Sequence, residues 1–196
     1  IPYLEDVFST YLYRGNSSTQ TITNGVDVSG EDGLVWIKSR TVAQGNILQD
    51  TIRGAGKTIF SEFQNGNEGN AGDLIGSFNN SGFSVNTNYK GTTNSDSTNQ
   101  LNQNYASWTF RKQKGFFDIV KYTGTGSTAT LNHNLGCVPG MMIVKALDDT
   151  SDWRVFHRSA HSDPQNYGLT LNGSTAVYGV HGDWGNTMPT ATQFTV

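Results

Sequence analysis

The chain has 196 residues, 35% of them hydrophobic and 15% charged, with a formal net charge of −3. This mild acidity, with no basic run longer than Arg111-Lys112-Gln113-Lys114, excludes a nucleic-acid binder that works by neutralising phosphates. No apolar stretch approaches the ~18 residues of a membrane span, and no charged-then-apolar leader pattern opens the sequence.

The surplus of Gly, Asn, Thr and Ser, with 11% aromatic residues, suits short strands joined by tight turns. The expected fold class is all-β. Residues 8–27, FSTYLYRGNSSTQTITNGVD, recur as residues 117–136, FDIVKYTGTGSTATLNHNLG. The pairs Phe8 and Phe117, Tyr13 and Tyr122, Gly15 and Gly124, Thr19 and Thr128, and Ile22 and Leu131 all keep one constant spacing. A shared offset without gaps points to an internal duplication.

Further along, Leu34-Val-Trp-Ile-Lys38 is apolar on both faces and reads as an interior strand. Leu48, Asp50 and Ile52 alternate with Gln49, Thr51 and Arg53, the pattern of a half-buried strand. Gly54-Ala-Gly-Lys-Thr58 imitates part of a phosphate-binding loop, but Thr51 stands where that motif needs its first glycine, and no helix pattern follows. A turn is expected. The glycine-rich stretch 66–72 and the pairs Asn24-Gly25, Asn65-Gly66 and Asn172-Gly173 are turn signals. After Gly82-Phe-Ser-Val85 and a polar loop, Tyr105, Ser107 and Thr109 face one way and Ala106, Trp108 and Phe110 the other. The basic cluster at 111–114 reads as a solvated linker. The expected domains are 1–114 and 115–196.

In the second half, Gly140–Lys145 aligns with Gly33–Lys38, Ser151–Arg158 with Asn46–Arg53, and Gln193–Val196 with Gly82–Val85. The counterpart of Tyr105–Phe110 is missing, so the second sandwich is expected to lack its final strand. That absence, and an opening residue other than methionine, make the chain read as a piece of a longer polypeptide. Cys137 is the single cysteine and has no partner for an internal disulfide, which fits assembly in a reducing cytosol.

Candidate chemistry is sparse. His157 and His161 have helical metal-ligand spacing but leave a strand, and His157 aligns with Ile52, a site asking for bulk. Asp148, Asp149 and Asp152 lack the ladder of a calcium loop and read as a solvated turn. The four glutamates, Glu5, Glu31, Glu62 and Glu68, form no paired-carboxylate pattern of a glycosidase. No catalytic residue, metal ligand or cofactor is assigned. Trp36 and Trp108 are expected in the core, and so is Trp153, aligned with Leu48. Trp184, set among turn residues, is expected to be exposed, with Asp183 and Asn186 beside it as a candidate sugar-binding group.

The segments VFSTYLYRGNSSTQTITNGVDVSGEDGLVWIKSR, DTIRGAGK, YASWTFRK, FFDIVKYTGTGS, HNLGCVPGMMIVK and DWRVFHR resemble a repeated module of bacteriophage virion proteins. Such modules are common in the tail fibres and appendages of marine phages, cyanophages among them. The resemblance spans nearly the whole chain. It implies tandem concanavalin-A-like or laminin-G-like β-sandwiches of jelly-roll type, and a non-catalytic role in host-surface attachment. It further implies a virion location after assembly in the host cytoplasm. The implied partners are copies of the chain itself (a trimer, by analogy), other virion proteins and a host-surface glycan. Capsid decoration or a head fibre is the alternative within the virion, and a secreted glycan-binding or glycan-degrading protein the alternative outside it.

Overall fold

The computed structural model describes residues 2–66, 69–70, 74–86, 98–179 and 182–196. A one-turn helix α1 (Leu4–Val7) leads into β1 (Phe8–Arg14). There follow β2 (Gln20–Thr23), β3 (Gly33–Ser39), β4 (Ile47–Asp50), β5 (Lys57–Phe60), β6 (Gly69–Asn70), β7 (Ile75–Asn79), β8 (Gly82–Val85) and β9 (Asn104–Arg111). The second half carries β10 (Thr130–Asn132), β11 (Met141–Val144), β12 (Arg154–His157), β13 (Tyr167–Thr170), β14 (Tyr178–Gly179) and β15 (Gln193–Thr195). The protein is all-β, and every described strand pair is antiparallel.

Two compact units divide the chain: Ile1–Ser61 with Glu68–Gln113, and Glu62–Asn67 with Lys114–Val196. The first unit pairs a six-stranded sheet, ordered β1-β9-β3-β4-β5-β6, with a three-stranded one, ordered β2-β8-β7. Strand alternation decides what lies between them. Tyr13, Val35, Ile37 and Tyr105 from the larger sheet meet Ile22, Ile75, Phe83 and Val85 from the smaller one in a single buried cluster. Gly82 is required where β8 begins: its φ is +141°, and an added Cβ would lie 2.0 Å from the Ile22 carbonyl oxygen.

The same alternation corrects two expectations. With Val35 and Ile37 turned inward, Trp36 must point to the opposite face. There it and Trp108, likewise expected in the core, sit half-buried and edge-on to each other with ring centroids 6.0 Å apart, outside the sandwich core. The strand expected to reach Arg53 stops at Asp50, with all four of its residues buried, and Ile52 is exposed in the turn that follows.

At the end of this core the phenols of Tyr13 and Tyr105 stack at 5.1 Å and hold the returning chain. Tyr13 Oη donates to the Thr98 carbonyl at 2.7 Å, and the Gln100 amide donates to Tyr105 Oη at 3.0 Å. Burial first, and then the neighbouring Tyr105, push the Tyr13 phenol well above its usual range. Tyr13→Phe leaves the fully buried Thr98 carbonyl unpaired, so a loss of roughly 1–3 kcal/mol is expected in urea unfolding. The Tyr13 contribution to stability is whole below the ordinary phenol value, about 10, and drains as pH climbs from there towards the raised one.

The second unit has a four-stranded sheet, ordered β11-β12-β13-β14, and the two-stranded pair β10-β15. These ladders follow those of the first unit. The Thr51 amide donates to the Gly33 carbonyl at 3.0 Å, and in the second unit the Arg158 amide donates to the Gly140 carbonyl at the same distance. Ile22 faces Phe83 across β2-β8, as Leu131 faces Phe194 across β10-β15. The pairing shifts one expected alignment by two residues: Val35 opposes Gln49 where Met142 opposes Phe156, so Leu48 corresponds to Val155 and not to Trp153. His157 then corresponds to Asp50, not Ile52, and is exposed rather than a site of bulk.

The opening match diverges in its surroundings. Phe8 pairs with Phe110 in a strand, and Tyr13 is buried. Residues 118–129 form no strand, and Tyr122 is 36% exposed. Tyr13 depends on β9 for its partner, and among the described residues no equivalent strand flanks Tyr122.

Candidate functional site

The residues expected to bind a sugar fall in the turn 182–186, which the structure divides between interior and surface. Trp184 is only 1% exposed, which corrects the expectation that it is open to solvent. Its ring meets Phe156 edge-on at 5.8 Å, and Nε1 donates to the Tyr167 carbonyl at 3.1 Å. A buried ring with its N–H satisfied offers no face to a sugar. Phe156 and Trp184 form a buried cluster in this unit, with Met142, Val144 and Tyr178 packed against them.

Asp183 and Asn186 lie at the surface side of the same turn. Asp183 is half-buried, and Asn186 is exposed with φ +52°. Two residues missed from sequence join Asp183. Arg154, on β12, brings Nε to 3.4 Å from Asp183 Oδ2, and Arg154 Nη1 donates to the Tyr178 hydroxyl. The Arg154 side chain keeps 39% of its surface exposed. Its station corresponds to the fully buried Ile47 of the first unit, and a guanidinium there needs solvent and polar partners. The only signal in the sequence was an arginine interrupting an apolar strand. This group of guanidinium, phenol and carboxylate can hydrogen-bond a neutral polar ligand. It contains no nucleophile set against a base.

Elsewhere the polar residues serve the fold. Gly54-Ala-Gly-Lys-Thr58 is a hairpin turn: Gly54 takes φ +97°, and the Gly56 amide donates to the buried Gln49 Oε1 at 3.1 Å. His157 Nδ1 accepts from the Ser159 amide, and His161 Nδ1 from the Asp163 amide. The His161 ring stacks on Tyr167 with centroids 3.5 Å apart. Among the described residues no three His, Cys, Asp or Glu side chains come close enough to hold a metal ion. Glu68 and much of the glycine-rich stretch 66–72 lie outside the described residues.

The acidic turn and Trp153 tie residues 62–66 to the second unit. Trp153 is buried, and its Nε1 donates to the Phe63 carbonyl at 3.1 Å. Asp152 Oδ1 accepts from Gln64 Nε2 at 2.7 Å and from Asn172 Nδ2 at 2.9 Å. Lys145 Nζ reaches the Gln64 carbonyl, and the Ser151 amide donates to it at 3.0 Å. The hydrogen bonds from Asn172 and then Gln64 hold the Asp152 carboxyl below its usual range, and burial lowers Lys145 despite the nearby Asp149 and Asp152. A depressed carboxyl contributes fully above its unfolded value, near 3.9, and loses that contribution as pH falls through the depressed one. Protection of the Ser151 amide against hydrogen exchange is therefore expected to fall below about pH 4 in the wild type. In Asp152→Ala it should be weak already at neutral pH.

A family described as "Domain of unknown function (DUF7483)" matches residues 5–196. The chain belongs to this family. The DUF7483 match runs through both units and covers the turn at 182–186. No curated protein and no solved structure matches this DUF7483 chain.

Proposed function

We propose that this DUF7483 chain is a non-catalytic part of a bacteriophage virion, a segment of a tail fibre or appendage that serves host-surface attachment. On this reading the two units are copies of one concanavalin-like sandwich plan, the second less complete than the first. The observation that carries the proposal is where the virion-like segments fall. DTIRGAGK builds the β4-β5 hairpin, YASWTFRK supplies most of the interior strand β9, and HNLGCVPGMMIVK ends in β11. Apart from FFDIVKYTGTGS, which lies mostly in residues that form no strand, the resemblance falls largely in framework, as suits a module selected for shape. Low net charge and exposed Asn and Thr side chains favour hydrogen-bonded contacts with neutral glycans that depend weakly on salt. Repetition along a fibre turns weak contacts into firm attachment.

The test is antibody labelling of intact particles of the encoding phage, read by electron microscopy and joined to a particle proteome. Label along the tail appendages is the expected result. Label on the head would replace the fibre role with capsid decoration. Absence of the chain from particles, with new reducing ends appearing when it is incubated with host envelope polysaccharide, would overturn the virion role in favour of a secreted glycan-degrading protein.

A further inference from the structure

The two ladders differ at one edge. In the first unit β3 lies between β4 and β9. The backbone of Gly33 bonds towards β4, whereas Asp32 accepts from Lys112 at 2.9 Å and the Arg40 amide donates to Asn104 at 2.8 Å. Hydrogen-bonding direction alternates along an antiparallel strand, so the even-numbered residues Leu34, Trp36 and Lys38 bond β9. Their counterparts in the second unit, with Gly33 set on Gly140, are Met141, Ile143 and Lys145. Among the described residues β11 pairs with β12 alone, which leaves those backbone groups facing an open edge. Met141 is 56% exposed and Ile143 40% exposed. The other neighbour of β9, β1, corresponds to residues 117–123, which likewise have no ladder beyond the bridge at Phe117.

We infer that the β11 edge is a docking site for one extended peptide strand with the pattern of β9, supplied from outside residues 1–196. Small or β-branched side chains would lie at its inward stations, as Ser107 and Thr109 do in β9. Apolar and aromatic ones would lie outward beside Met141 and Ile143, as Phe110 and Trp108 lie beside Leu34 and Trp36. Strand addition of this kind takes its affinity from main-chain hydrogen bonds and its selectivity from alternate side chains. Edge-to-edge pairing of β11 between two copies fits less well, because it would align four residues, whereas β9 spans eight and bonds strands on both sides. Among the described residues the strand of this pattern, β9 itself, is already paired on both sides. The inference rests on the duplicated plan proposed above but not on a virion location, which particle labelling tests separately.

The probe is a synthetic peptide with the sequence of residues 104–111, added to the intact chain and followed by amide hydrogen exchange. Expected is saturable one-to-one binding that slows the Met141, Ile143 and Lys145 amides about tenfold or more. A peptide of the same composition with its alternation scrambled should leave them unchanged. Ile143→Pro places proline where the N–H faces the open edge, a position an edge strand tolerates, and should abolish the slowing. Ile143→Lys, with the same side chain station exposed, serves if the proline variant unfolds. Equal slowing by the scrambled peptide, no slowing by either peptide, or protection that rises with protein concentration in the absence of peptide would each overturn the proposal.

Discussion

Asp50→Ala should destabilise the first unit by about 3–5 kcal/mol, among the largest losses open to a single polar substitution in this chain. Asp50 Oδ2 meets Arg53 Nε at 2.5 Å, and both side chains are nearly closed to water, at 7% and 5% exposed. The Arg53 guanidinium also donates to the Lys57 carbonyl at 3.1 Å, and the Arg53 amide donates to Asp50 Oδ1 at 2.9 Å. One carboxylate thus closes the turn and neutralises a cation inside it. Removing the carboxylate leaves that cation buried and uncompensated, which costs more than the pair itself contributes. A paired replacement, Asp50→Leu with Arg53→Met, should therefore recover most of the loss, since apolar groups of similar volume need no solvation. Urea unfolding of the single and double variants measures both numbers. Equal losses in the two would show that the turn depends on its hydrogen bonds and not on charge compensation.

The same turn illustrates what the sequence made legible. A glycine-rich run before Lys57 invites a nucleotide reading, yet the missing first glycine and helix already argued for a turn, and Asp50 and Arg53 were available at a spacing that a turn brings together. Strand alternation was readable at Tyr105–Phe110, whose two sets fall on opposite faces as expected, although the inward set is Tyr105, Ser107 and Thr109 and not the one that holds Trp108. Register was harder. Aligning Trp153 with Leu48 instead of Val155 is a slip of two residues, and a strand's side chains repeat with period two, so such a slip keeps every residue on its face. No pattern of apolar positions can detect it; only the partner strand can. The placement of Trp36 failed for a related reason. In a strand that is apolar throughout, composition cannot say which of two faces meets the other sheet. At Arg154 an isolated charge in an apolar strand did mark something unusual. Its partners Tyr178 and Asp183, however, lie beyond β13 in the chain, joined to it by sheet pairing and the turn after β14.

Trp184→Ala should lower the stability of the second unit by roughly 3–5 kcal/mol, the range for removing a large aromatic from a core. The indole is 1% exposed, packs edge-on to the fully buried Phe156, and satisfies the Tyr167 carbonyl. Its removal deletes the larger of the two buried side chains in this cluster and leaves a backbone acceptor without its donor. Met142, Val144 and Tyr178, only partly buried, can relax into part of the space, which favours the lower end of the range. The neighbouring residues provide the control. Asn186→Gly alters an exposed side chain in the same turn, at a φ of +52° that glycine adopts freely, and should change stability by no more than about 0.5 kcal/mol. Hydrogen exchange at the β12 amides of Val155 and Phe156 reads the effect locally, without tryptophan fluorescence, which the substitution itself alters. Were Trp184 a surface platform for sugar rings, as its turn-rich surroundings first suggest, its loss would leave those amides as protected as in the wild type. The depth of the ring predicts that they open first, and that any fall in glycan binding by this variant follows its unfolding rather than a lost stacking face.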